Sequence, residues 1–184
     1  MSQPKAAHSA ADLERYKKYE QREHILALPG MYISSVEHTP LTTHVYDDDE
    51  GRMVKSDLSV VPGFVKIFDE VLTNATDQAM RVKSESYRAK EDVRPVRNIR
   101  VTVNRETGVI SVENDGDSID VALHPTYNVW IPTMLFGSLM TSVNYDANEE
   151  RLGAGTHGLG VKLTSVFSRE LTIDLVDHLS LIHI

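Results

Sequence analysis

The chain has 184 residues, 41% of them apolar and 25% charged, which suits one soluble domain with a sizeable core. It contains no cysteine, which excludes disulfides and thiolate metal sites, and it has neither a membrane-length apolar run nor a signal-peptide pattern at its N-terminus. Its net charge of −8 lacks the basic balance expected of a nucleic-acid-binding surface.

Residues 1–12 are small and polar and are expected to be disordered. Leu13 to Leu28 is charge-rich and compatible with a helix that Pro29-Gly30 ends. Met31 to Val36 reads as a short strand. Thr39 to Val60 alternates weakly around the acidic run Asp47 to Glu50 and Gly51, the pattern of a hairpin with an exposed turn.

Phe64 to Arg81 is the strongest periodic segment. Phe64, Ile67, Phe68, Val71, Leu72 and Ala75 recur at helical spacing and form one apolar face. Opposite them Glu70, Asn74, Asp77 and Arg81 fall within a narrow stripe, at about 100° per residue. That stripe is either a solvated polar face or one wall of a site.

Val82 to Arg97 reads as the frayed helix end and a loop. Asn98 to Asn104 and Val109 to Glu113 form a predicted hairpin turning at Arg105 to Gly108, and Asn114-Asp115-Gly116-Asp117 breaks the second strand. Pro132 to Thr141 suggests a short apolar helix. Gly153 to Gly160 carries four glycines, Val161 to Phe167 starts a helix, and Leu171 to Val176 is a predicted strand. The fold class that follows is α+β: an antiparallel or mixed sheet with helices on one face. The long helix should press its apolar side on the sheet and turn Glu70 and Asn74 toward a pocket.

The glycine-rich stretch contains the letters of a dinucleotide fingerprint, but NYDANEERL before it is no buried strand and no acidic residue closes a strand about 20 positions on. Walker A spacing also fails, because Leu163 follows Lys162. Crowded backbone N–H groups, a helix starting near Gly160 and the charge of Lys162 would still suit an anion, and a plain surface loop is the alternative.

Three separated stretches, FDEVLTNATD (68–77), ENDGDSI (113–119) and GAGTHGLGVK (153–162), resemble the nucleotide-binding motifs of the GHKL ATPases, whose Bergerat fold is a two-layer α/β sandwich. Within that superfamily EHILALPGMYISSVE (23–37), VPGFVKIFDEVLTNATD (61–77) and IPTMLFGSLMTSVNYD (131–146) are similar to type IIA DNA topoisomerases of the eukaryotic or viral kind. The resemblance covers about residues 13–176, in order.

It implies ATP and Mg²⁺ as cofactors, with Glu70 as the general base that activates water and Asn74 as the Mg²⁺ ligand. Asn114 would recognise the adenine edge, and Ser142 and Asn144 would lie near ribose and phosphates. Gly155, Thr156, His157, Gly158, Leu159, Gly160 and Lys162 would form the phosphate lid. Tyr16 would reach a partner's nucleotide, so that ATP closes a homodimer. The whole enzyme would act on DNA in the nucleus of a eukaryote, or in a host cell or virion if viral, with little DNA binding by this acidic segment.

By that resemblance residues 1–24 are an N-terminal arm, 25–178 an incomplete ATPase domain lacking its transducer, and 179–184 a tail foreign to the family. Ser118 replaces the last glycine of the second motif and fits only with a negative φ; Asp120 stands for a customary proline and Val143 for a serine. His157, where eukaryotic relatives carry Asn, either contacts a phosphate or packs within the loop. Asp77 and Arg81 either brace the pocket or pair at i, i+4. The alternatives in function are another GHKL ATPase, of chaperone or mismatch-repair type, and a nucleotide-binding fragment that does not hydrolyse.

Overall fold

The computed structural model describes residues 13–84, 93–139, 141, 158–176 and 181–184. Its elements run α1 (Gln21–Ala27), α2 (Gly30–Ile33), β1 (Thr39–Asp47), β2 (Arg52–Val60), α3 (Pro62–Arg81), β3 (Ile99–Asn104), β4 (Val109–Asn114), α4 (Ile131–Gly137), α5 (Gly160–Phe167), β5 (Asp174–Val176) and β6 (Leu181–His183). The class is α+β, as the patterning implies.

The hairpins are set by their turns. Asp47 Oδ1 accepts the backbone N–H groups of Asp49 and Glu50, both at 2.9 Å, and Gly51 takes a φ of +64°. The acidic run is therefore the turn itself, with Asp47 opposite Arg52 and Thr39 opposite Val60. Asn104 does the same for Glu106 and Thr107, at 3.0 and 3.1 Å, and pairs Val101 with Val112 and Val103 with Ile110.

One buried cluster of the core gathers at one end of α3. Ile25 of α1, Ile33 of α2 and Leu163 of α5 are buried together, with Tyr32, Ile67, Leu139, Leu159, Val166 and Phe167 packed around them. Pro62 opens α3 at a position where a missing N–H costs nothing. Gly63 donates its N–H to Ser35 at 2.8 Å, and a Cβ there would meet Ile33 Cδ1 at 3.0 Å, so α2 and α3 approach closely. α3 packs against α2, α5 and β4, and α5 in turn meets α1 and α4.

Several expectations change. Only Gln21–Ala27 of the stretch 13–28 is α1. The strand predicted over 31–36 is instead the single helical turn α2, whose first bonds run from Tyr32 and Ile33 N–H to the Pro29 carbonyl; this turn carries Ile33 inward, and among the described residues no strand pairs with it. Phe64, placed on the apolar face, is 55% exposed, while Gln78 is buried. Among the described residues the strands form three two-stranded antiparallel sheets, each a local pair, rather than one continuous sheet. Residues 181–183 of the tail pair with β5, His183 opposite Asp174.

Candidate functional site

Glu70 leaves α3 with its side chain mostly covered. One carboxylate oxygen is paired with Lys66 Nζ, one turn earlier, and this pairing raises the lysine pKa. The other faces Gly160: a Cβ on that residue would collide with Glu70 Oε2. The glycine closing the glycine-rich stretch is thus seated on the carboxylate of the polar stripe. Thr164 holds that contact in register by donating Oγ1–H to the Ile67 carbonyl at 2.8 Å, tying α5 to α3.

Asn74, one turn after Glu70, is exposed, and its Nδ2 donates to the Glu70 carbonyl at 2.9 Å. That bond orients the amide, and its oxygen is the kind of neutral hard donor that suits a divalent cation beside a polyphosphate.

Gly158 has a φ of +63° and turns the chain into α5. Lys162 is 5% exposed, and its ammonium donates to the carbonyls of Thr141 at 2.7 Å and Gly158 at 2.8 Å. Burial pushes its pKa down to about 8. In this structure the lysine therefore staples the start of α5 to the end of the α4 segment. Leu159 is half-buried against the Ile25–Ile33–Leu163 cluster.

Asn114 ends β4, half-buried, its Nδ2 3.3 Å from the Asp115 carbonyl. The turn after it is clamped to residues 94–98. Asp115 accepts from Arg97 N at 2.6 Å, Asn98 N at 2.9 Å and Asn98 Nδ2 at 2.7 Å, and these bonds hold its carboxyl below the usual range. Gly116 has a φ of +89°, and a Cβ there would stand 2.7 Å from the Val96 nitrogen and 2.8 Å from the Pro95 carbonyl. No other residue fits without moving that backbone. Ser118 is not among the described residues of positive φ, which meets the condition for replacing a glycine; its Oγ is buried without a hydrogen-bond partner.

The structure thus brings Glu70, Asn74 and Gly160 together, sets Gly158, Leu159 and Lys162 at the start of α5, and attaches the Asn114 turn to the same helix. Ser142, Asn144, Gly155, Thr156 and His157 lie outside the described residues, as does Val143. Tyr16 is 70% exposed, and its hydroxyl accepts from Arg15 Nη2 at 2.9 Å. Arg81 donates to Gln78 Oε1 and so braces a neighbouring side chain.

Two contributors escape the stripe analysis. Lys66 was recoverable from its i, i+4 spacing to Glu70. Gln78, an amide at the spacing of the buried face, seven residues after Val71 and three after Ala75, gave only the signal of a polar residue in an apolar row.

No family model matches the chain. It is 39% identical over 168 residues to DNA topoisomerase 2 of Acanthamoeba polyphaga mimivirus, 89% of this chain and 12% of that protein. It is 44% identical over 165 residues to DNA topoisomerase 2 of Plasmodium falciparum, 89% of this chain and 11% of that protein. The chain therefore spans only a small part of the relatives it matches. The crystal structure of the ATPase region of Saccharomyces cerevisiae topoisomerase II superposes with a TM-score of 0.78 at 37% identity, covering 88% of this chain and 40% of that one. The ATPase and transducer domains of DNA topoisomerase II from Balamuthia mandrillaris give 0.77 at 40% identity, covering 88% and 38%.

Proposed function

Starting from a chain homologous to the ATPase region of type II DNA topoisomerases, we propose that it forms the ATP-binding and hydrolysing gate of such an enzyme. The observation that carries the reading is the seat of Gly160 against the Glu70 carboxylate, with Asn74 one turn away. A side chain at 160 would fill the space beside Glu70 in which a terminal phosphate and its attacking water would have to sit.

In this reading Asn114 meets the adenine edge, and Ser142 and Asn144 meet ribose and phosphates. Residues Gly155 to Gly160 lie over the triphosphate with backbone N–H groups, and Lys162 exchanges its two carbonyl partners for phosphate oxygens. Asn74 would hold Mg²⁺, which when bound neutralises charge on the phosphates. Glu70 orients the water and takes its proton, a task that needs positioning more than covalent chemistry. Lys66 holds one carboxylate oxygen and leaves the other turned to the Gly160 side.

At the scale of the whole enzyme, Tyr16 crosses to a second copy, ATP closes the homodimer, and closure drives passage of one DNA segment through another in the nucleus, host cell or virion. Residues 1–24 then act as the arm and 25–178 as the ATPase domain, with a transducer supplied by further sequence and 179–184 foreign to it.

The test is Glu70→Ala in the full enzyme. Binding of a non-hydrolysable ATP analogue should persist in calorimetry, while phosphate release falls by roughly 10²–10⁴, the span of a positioned general base. Unchanged turnover would remove Glu70 from the role. Binding with no release by the unmodified protein would leave a nucleotide-binding module.

A further inference from the structure

The turn carrying Asn114 is gripped from two sides. On one side stands the 94–98 segment, through Asp115, Gly116 and the Arg94–Asp117 pair, where Arg94 Nε meets Asp117 Oδ1 at 3.2 Å and Arg94 N meets Oδ2 at the same distance. On the other side stands α3, which the Gln78 side chain ties to the turn. Gln78, 9% exposed, donates Nε2–H to the Asp117 carbonyl at 2.6 Å and accepts from Arg81 Nη2 on its Oε1. Both ends of the amide are used, so its orientation is fixed.

We propose that Gln78 is a positioning residue for base selection: by fixing the Asn114–Ser118 turn to α3, it sets how selectively the site holds adenine. The inference rests on the nucleotide-binding reading above and adds to it the side chain that fixes one half of the site against the other. Gln78 lies eight residues beyond Glu70, about 12 Å along the helix axis at 1.5 Å per residue. Phosphate chemistry and base recognition therefore sit on one rigid rod, with the amide as the joint to the base end. Base readout depends on hydrogen-bond geometry that weakens steeply with angle and distance, whereas a phosphate cradle tolerates more. Loosening the joint should harm the base end selectively.

The substitutions Gln78→Leu and Gln78→Glu separate the parts. Leu removes both bonds. Glu keeps the shape and the acceptor for Arg81 but, ionised, has no hydrogen to give the Asp117 carbonyl. The 184-residue chain and both variants are compared for binding of non-hydrolysable ATP and GTP analogues and of inorganic tripolyphosphate, with circular dichroism reporting the fold. The expected result is roughly a tenfold loss of affinity for the ATP analogue, the scale of one hydrogen bond to a fixed group. Preference for adenine over guanine should narrow by a similar factor, with tripolyphosphate affinity unchanged.

Folded variants with unaltered base preference would overturn the proposal. So would a parallel loss for all three ligands, which marks a merely structural residue. If Gln78→Leu fails to fold, Gln78→Glu carries the same comparison with only one hydrogen exchanged. An unmodified chain that binds tripolyphosphate without discriminating between bases overturns the proposal alone, and one that binds none of the three overturns the nucleotide reading beneath it.

Discussion

At Gly160 a single methyl group would have its largest effect on the site. The atom it would strike is Glu70 Oε2, the free end of a flexible side chain, so the carboxylate can swing away and the backbone need not move. Alanine is also a better helix former than glycine at the start of α5, by up to about 1 kcal/mol. Gly160→Ala should therefore leave the melting temperature equal or slightly raised while phosphate release drops on the order of 10²-fold, the usual cost of misplacing a reacting group by about an ångström. A variant that loses stability in step with activity would mean that Gly160 serves the fold alone. Glu70 and Asn74 were legible in the sequence because a period of 3.6 places them on one stripe whatever surrounds them. Gln78 was not, because its partner is a backbone carbonyl 39 residues away, and no side-chain pattern encodes that.

The same contrast governs whole elements. α3 was legible from its apolar spacing, and both long hairpins from their turn chemistry, where Asp47 and Asn104 satisfy backbone donors locally. α2 was not, since four residues contain too little periodicity to separate a turn of helix from a strand. Its reality rests on the tertiary contact of Ile33 with Ile25 and Leu163. That cluster joins α1, α2 and α5, so it holds the end of the glycine-rich segment in place as well as the N-terminal helices. Ile25 has no exposed surface, and Ile25→Ala should cost about 2–5 kcal/mol by lost burial and the cavity left behind. Denaturant unfolding measures it directly. A cost below about 1 kcal/mol would mean the α1–α2 segment unfolds independently of α5.

For the molecule as a whole, the described strands are more open than the helices. Leu41, Tyr46, Met53 and Leu58 on the first hairpin, and Val101, Val103 and Val109 on the second, are substantially exposed. Apolar area of that kind on hairpins is where a further layer would pack. It is not a surface for nucleic acid, and the charge balance makes the same point with a number attached. Lysine and arginine total 19 against 27 aspartate and glutamate. Affinity for duplex DNA comes mostly from phosphates neutralised by cations, and log K falls with log salt at about −0.9 per phosphate contacted. A surface of net charge −8 repels the duplex at long range. This chain alone should therefore bind a labelled duplex more weakly than about 10⁻⁴ M at physiological salt, the loose end of ordinary non-specific binding. Fluorescence anisotropy between about 50 and 200 mM salt should give a slope shallower than about −2. A steep slope, worth six or so phosphates, would reveal a basic track on this surface and overturn the expectation; a shallow one is what the excess of acidic side chains implies.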